Sequence, residues 1–298
     1  MAIKKRKSGG KRKRDDNPSP FENVVFAGGG NRCLWQVGFW GVAAEALRIV
    51  PLRVAGVSAG ASMACLIFAQ RARETLEYFK KLTARNRKNF YFSRLLTGKR
   101  AFPHTEMYRE GLLFGMDREA PKRLHGGPEI RILISRPPGW LGPRSATALG
   151  ILAYSLEKKF RNPVHPGIPS RLGFRPQVLR ADQCGTPEDL ADLLIASSCT
   201  PPFTPITRWE GKVSLDGGLI DNVPVRILDG EPGRTLVLLT RQYPRESIPR
   251  VDGRVYLQPS EPIRITKWDY TNPAGLQEAF DLGRRDGEAF VKEQDQRA

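Results

Sequence analysis

The sequence predicts an α/β domain with a mainly parallel central sheet, and three observations carry that prediction. Short apolar runs bounded by glycine or proline alternate with longer runs of helical length. The first four, between residues 23 and 69, follow the order strand–helix–strand–helix, which implies parallel strands joined by a right-handed crossover. The second strand ends in Gly56-Val57-Ser58-Ala59-Gly60, an abrupt strand-to-helix turn.

Taken in order, residues 1–20 combine Lys4-Lys5-Arg6-Lys7 and Lys11-Arg12-Lys13-Arg14 with Gly9-Gly10, Pro18 and Pro20, a composition expected to stay disordered. No Gly/Ser-rich or acidic linker divides residues 21–298, which are expected to form one domain. Asn23-Val24-Val25-Phe26-Ala27 is a short buried strand ended by Gly28-Gly29-Gly30. A helix is expected over 34–50, closed by Pro51, then a strand over 52–57 and a helix after Ser58. Residues 72–100 read as a basic helix and loop with Leu76, Phe79, Leu82 and Phe90 on the buried side. Further strands are expected at 129–135, 174–179, 213–215 and 235–240. Helices are expected at 145–160, at 187–197 behind Thr186, and at 274–292.

The hydrophobic fraction of 40% suits a sizeable core, and no apolar run reaches the roughly 18 residues of a membrane span. The basic N-terminus has no apolar segment behind it, so a cleavable secretory signal is not expected and a cytoplasmic setting is. Net charge is +17; subtracting the +6 of residues 1–16 leaves +11 on the remainder. Such charge points to a polyanionic partner, an anionic lipid surface or nucleic acid. Cys33, Cys65, Cys184 and Cys199 are widely spaced without a Cys-x-x-Cys pair, which argues against structural zinc and a disulfide framework. No metal site and no cofactor are expected.

Three stretches carry chemistry. A strand that turns sharply into a helix exposes the residue at the turn, and Gly56 and Gly60 let the two elements approach, so Ser58 is a candidate nucleophile. Gly28-Gly29-Gly30-Asn31-Arg32 leaves backbone N–H groups unobstructed at a helix start, a setting for an anion. The dinucleotide pattern fails because Cys33 stands where its third glycine belongs, and no Gly-Lys-Ser/Thr follows; an oxyanion hole remains. Asp216-Gly217-Gly218 puts an acid at a strand's carboxyl end, with Asp221 beside Asn222-Val223-Pro224 as the competing acid. Only His104, His125 and His165 exist, none follows residue 165, and each is expected on the surface or in a loop. A serine nucleophile here therefore needs a base other than histidine.

In order and spacing these three stretches resemble the motifs of the patatin-like phospholipases. Two more support the resemblance: Gln36-Val37-Gly38 in the first helix, and Ala196-Ser197-Ser198-Cys199-Thr200-Pro201-Pro202-Phe203-Thr204-Pro205 before the aspartate. It covers roughly residues 21–228 and implies a three-layer sandwich and a lipid acyl hydrolase of the phospholipase A or lysophospholipase kind. It also implies a Ser58–Asp216 dyad, with Ser58 as nucleophile and Asp216 as proton acceptor. The N–H groups of Gly28, Gly29 and Gly30, with that of Ala59, would form the oxyanion hole; Gly56, Gly60, Gly217 and Gly218 are its motif glycines. Arg32 would anchor the glycine loop or meet a phosphate headgroup. Cys33 departs from the family's usual glycine, which bears on helix packing or rate.

The partners implied are a phospholipid or other acyl-lipid substrate and an anionic membrane surface. The basic tail and residues 140–161 would dock there, Trp140, Leu141 and Leu152 inserting while Arg144, Lys158, Lys159 and Arg161 meet headgroups. The competing reading packs the 145–156 helix into the core. The alternative function is a basic nucleic-acid- or membrane-binding protein with little or no catalysis on a hydrolase-like fold; no recognition motif or basic–aromatic interleaving favours nucleic acid.

Overall fold

A computed structural model describes residues 19–160, 164–165 and 168–296, the side chains of 153–160 and 168–169 excepted. The basic run 1–18, the side chains of Lys158 and Lys159, and Arg161 lie outside the described residues.

The chain opens with β1 (Asn23–Phe26), α1 (Leu34–Ala46), β2 (Arg53–Val57) and α2 (Ala59–Phe68). Four helices follow: α3 (Ala72–Arg85), α4 (Phe92–Leu96), α5 (His104–Gly115) and α6 (Ala120–His125). Then come β3 (Glu129–Arg136), α7 (Pro143–Phe160), α8 (Ile168–Arg171), β4 (Arg175–Arg180) and α9 (Pro187–Ser197). The last part holds β5 (Thr207–Trp209), β6 (Lys212–Asp216), β7 (Thr235–Leu238), β8 (Arg254–Leu257) and α10 (Pro273–Asp295).

The sheet runs β5-β6-β3-β2-β1-β7-β8, with β4 also paired to β3. β3, β2, β1, β7 and β8 are mutually parallel, and β4, β5 and β6 pair antiparallel. Parallel strands are covered on both faces, which is why β1 reads as an unbroken buried run. Alternate residues divide between two cores. Val24, Phe26, Val54, Ile132 and Leu236 face Trp35, Phe39, Cys65, Leu193 and Phe290 from the flanking helices. Val25, Ala55 and Val237 face the other way, onto Val223, Val225, Leu228 and Tyr243. The third layer is thus built partly of 3-10 turns.

One register detail positions the site. β2 leaves β3 at the pair Val57–Leu133, and β6 joins β3 one residue further on, at Asp216–Ile134. β4 occupies the opposite edge of β3 over that stretch, so β6 takes the edge that β2 vacates. The end of β6 therefore lies against the turn that follows β2.

α1 and α10 approach closely because each offers a glycine. A Cβ on Gly38 would stand 2.0 Å from the Phe280 carbonyl oxygen, and one on Gly283 would stand 2.0 Å from that of Trp35. Gly41, also in α1, faces open space. Gly283→Ala is therefore expected to destabilise the protein by about 2–3 kcal/mol or more. Gly41→Ala should leave stability unchanged or raise it by about 0.5–1 kcal/mol. Urea unfolding of both variants checks the contrast.

Some expectations need correction. α1 ends at Ala46 rather than at 50, since Arg48 takes the left-handed backbone (φ 51°) and turns the chain out of the helix. Phe90 is 45% exposed rather than buried; its ring rests edge-on against Phe102. α4, α5, α6, α8, β5 and β8 are not among the elements expected from the sequence. β5 and β8 are only three and four residues long and are largely half-buried, so they lack a clear alternation. α7 divides the two readings of its role: Ala146 packs with Phe174, Cys199 and Leu219, whereas Leu152, like Trp140 just before the helix, is exposed.

Candidate active site

Ser58 sits at the turn between β2 and α2 with φ 54° and ψ −138°. A non-glycine residue held there stores roughly 1–3 kcal/mol of backbone strain, which the surroundings must offset. The flanking glycines make the turn possible. A Cβ on Gly56 would lie 2.7 Å from the Ala61 Cα, and one on Gly60 would lie 2.4 Å from the Ala27 carbonyl oxygen. Ser197 Oγ, which donates to the Leu133 carbonyl (2.7 Å), accepts the Ser58 N–H at 2.9 Å.

The vacated edge of β3 brings Asp216 to the turn. Ser58 Oγ donates to Asp216 Oδ2 at 2.8 Å. Thr200 Oγ1 donates to the same oxygen at 3.2 Å, and the Gly218 N–H donates to Oδ1 at 2.7 Å. Withdrawal from water raises the Asp216 carboxyl above its ordinary 3.8, and this outweighs the hydrogen bonds and the Lys267 charge that pull it down. Asp221, the competing acid, is engaged elsewhere: its carboxylate oxygens lie 3.1 and 3.2 Å from His165 Nδ1, and Oδ1 also accepts the Val223 N–H.

The glycine loop lies between β1 and α1. The Gly28 N–H donates to the Asn222 carbonyl at 2.9 Å, so Gly28 drops out of the expected set of anion donors. The Gly28 carbonyl in turn accepts from Asn222 Nδ2 (2.8 Å) and Thr240 Oγ1 (2.6 Å). This clamp couples the loop to the stretch after Asp216. The N–H groups of Gly29, Gly30 and Ala59 carry no hydrogen bond among the described residues. Ala59 opens α2, whose N-terminus favours negative charge. Gly30 needs its left-handed φ of 57°, and a Cβ there would stand 2.4 Å from the Lys267 carbonyl oxygen.

Arg32, expected to anchor the loop, lies in the 3-10 turn Gly30–Cys33. Asn31 has a visible part in that role, its Nδ2 donating to the Asp269 carbonyl at 2.8 Å. Cys33 is fully buried, with Sγ 3.5 Å from the Ala27 carbonyl, and burial pushes its thiol up to about 12. It packs as a small neutral residue.

A cavity opens beside Ser58, with about 820 Å³ of empty space including its mouth. Ser58, Ala59 and Gly30 stand in its wall; the rest is chiefly apolar, including Leu34, Met63, Leu76 and Phe79. Tyr108 is among its polar lining residues, its hydroxyl bridging Ser62 Oγ (2.5 Å) and Ser198 Oγ (3.1 Å). His104 lines it too and corrects the surface assignment. It is buried among aromatic rings, with Nε2 2.8 Å from the Trp268 carbonyl, and burial lowers its pKa. His165, also expected at the surface, is largely buried against Asp221.

Asn222, Thr240 and Tyr108 are site residues to which the sequence assigns no role, and Ser197 and Thr200 appear there only within the stretch that supports the resemblance. For Asn222, the available signal is its place in the run Asp-Gly-Gly-x-x-Asp-Asn-x-Pro, next to the competing acid Asp221.

A family profile described as patatin-like phospholipase matches residues 24–229. The chain belongs to the patatin-like phospholipase family. Membership makes it a lipid acyl hydrolase. The matched stretch of this patatin-like phospholipase contains the elbow, the glycine loop and Asp216, whereas Thr240 and the 265–271 segment lie beyond it. Against curated protein sequences the chain finds no significant match. Among solved structures it is similar to VipD from Legionella pneumophila, at 10% identity and a TM-score of 0.44, over 92% of this chain and 67% of that one. It is also similar to the type III effector protein ExoU, at 15% identity and a TM-score of 0.33, over 93% of this chain and 53% of that one.

Proposed function

We propose that this patatin-like phospholipase cleaves fatty-acyl esters of phospholipids or lysophospholipids through a Ser58–Asp216 dyad. The observation that supports this most directly is the Ser58 Oγ donating to Asp216 Oδ2 at 2.8 Å. Ser58 Oγ attacks the acyl carbonyl as its proton passes to Asp216. The tetrahedral oxyanion takes the N–H groups of Gly29, Gly30 and Ala59, aimed by the Asn222–Gly28–Thr240 clamp. Collapse expels the alcohol, which collects the proton from Asp216. Asp216 then takes a proton from water as the water attacks the acyl-enzyme, and Ser58 recovers that proton on release. A carboxylate is a weak base toward a serine hydroxyl, so the raised Asp216 pKa and the backbone donors supply the balance. The apolar cavity beside Ser58 suits the acyl chain.

The test is incubation with a mixed lipid extract, reading released fatty acid and lysolipid against Ser58→Ala. Wild-type protein should release both products, and Ser58→Ala neither. A chelator arm on a soluble short-chain ester extends it, since among the described residues no three His, Cys, Asp or Glu side chains gather as metal ligands. Unchanged turnover is expected there; loss of activity restored by a divalent ion would overturn the dyad as a complete account.

A further inference from the structure

Residues 86–100 form a lobe around α4 whose surface is apolar and cationic at once. Phe92, Leu95 and Leu96 are 67%, 51% and 79% exposed, and their i, i+3, i+4 spacing puts them on one helical face. Phe90 adds a fourth exposed apolar side chain just before them. Soluble proteins rarely leave such a cluster in water unless something docks on it. Residues 85–100 hold six cations and no acid. Arg94 pairs with Glu106 and Arg100 donates to the Pro202 carbonyl. Arg87, Lys88 and Lys99 are exposed without an ion pair among the described residues.

The lobe is tied to the site. Asn86 Nδ2 donates to the Tyr270 carbonyl (2.9 Å), and the Tyr270 N–H donates to Asn89 Oδ1 (2.8 Å). The neighbouring Asp269 carbonyl holds Asn31 of the glycine loop, and Trp268 and Tyr270 stand in the cavity wall. Rings connect the two surfaces as well. Phe90 packs on Phe102 at 5.2 Å, Phe102 on Phe203 at 4.9 Å, and Phe203 stacks on Trp268 at 4.8 Å.

We infer that this lobe docks the enzyme on an anionic lipid bilayer, presenting the cavity to the surface that holds its substrate; the inference rests on the lipid-hydrolase reading above. The four apolar side chains enter the interface while Arg87, Lys88 and Lys99 meet anionic headgroups. Phe90 and Phe92 could stack on bases, but Leu95 and the most exposed of the four, Leu96, offer no stacking. An apolar cluster with an acid-free cationic rim complements an anionic sheet of headgroups over hydrocarbon. Among the described residues no helix is long and apolar enough to cross a membrane. The lobe thus joins, as a docking surface, the 140–161 stretch expected from the sequence.

Sedimentation of full-length Ser58→Ala protein with phosphatidylcholine vesicles, with and without phosphatidylserine, tests this without turnover. Binding should rise with phosphatidylserine and fall with salt. Adding Lys88→Gln and Lys99→Gln should weaken it about thirtyfold, and Phe92→Asp with Leu96→Asp at least as much. In otherwise wild-type protein the same pairs should lower hydrolysis of vesicle lipid and leave turnover of a soluble short-chain ester unchanged. The proposal is overturned if either pair sediments like its parent, which would assign binding to the basic tail or to Trp140. It is also overturned if the parent ignores anionic vesicles and binds duplex DNA instead. Failure of the hydrolase reading shows up separately, as wild-type protein that turns over neither substrate.

Discussion

Ser58→Ala and Asp216→Asn are each expected to cut hydrolysis of a soluble ester by about four orders of magnitude or more while leaving the protein folded. Ser58 Oγ donates to Asp216 Oδ2 at 2.8 Å, the contact on which the proposed dyad rests. Removing either the attacking oxygen or the acceptor stops the same step, so the double variant should be no slower than either single one. The amide that replaces the carboxylate has the same shape, and its oxygen can accept the Gly218 N–H as Asp216 does, which keeps the loss chemical rather than structural. Asp221→Asn provides the comparison. Its carboxylate faces His165 and the Val223 N–H, so most activity should survive. Steady-state kinetics with circular dichroism on all four proteins decides. Near-normal turnover by folded Asp216→Asn would remove Asp216 from its role and direct attention to Asp221.

What could be read in the sequence followed from how local the constraint was. The turn at Ser58 was legible because its spacing is local: Gly56 answers to Ala61 within the same strand–turn–helix unit, although Gly60 answers to the Ala27 carbonyl after β1. Asp216 was legible as an acid at a strand end. That β6 would take the edge vacated by β2 was not, because it depends on pairing between residues 134 and 216 that no periodicity records. The same holds for the clamp on Gly28. Asn222 and Thr240 lie 194 and 212 residues away in the chain, and the bond that removes Gly28 from the donor set ends on the Asn222 backbone, which no side-chain pattern reveals. His104 looked like a loop residue because its burial comes from Phe102, Phe203, Trp268 and Tyr270 closing around it. Phe90 shows the opposite failure: an apolar residue in a basic stretch reads as core unless the surface has a use for it.

The pH profile should report Asp216 directly. A general base works only when ionised, so kcat/KM on a soluble ester should fall about tenfold per pH unit on the acid side. The midpoint should lie above 3.8, since withdrawal from water raises this carboxyl. Lys267 pulls it down through its charge. Lys267→Met removes a cation that favours the carboxylate, so the acid limb should move to higher pH. The stability side carries the same sign. A group whose folded pKa exceeds its unfolded one contributes fully to stability below the unfolded value, and that contribution is lost as pH rises through the folded value. Ionised Asp216 therefore costs stability at neutral pH, and Asp216→Asn escapes the cost. Its Tm should match that of wild-type protein near pH 4 and exceed it increasingly toward about pH 7. Thermal unfolding across that range, beside the rate profile, ties both to one proton. A Tm difference that stays flat or reverses would show that Asp216 is not held against its ionisation, and the base would then lack the raised pKa on which the dyad depends.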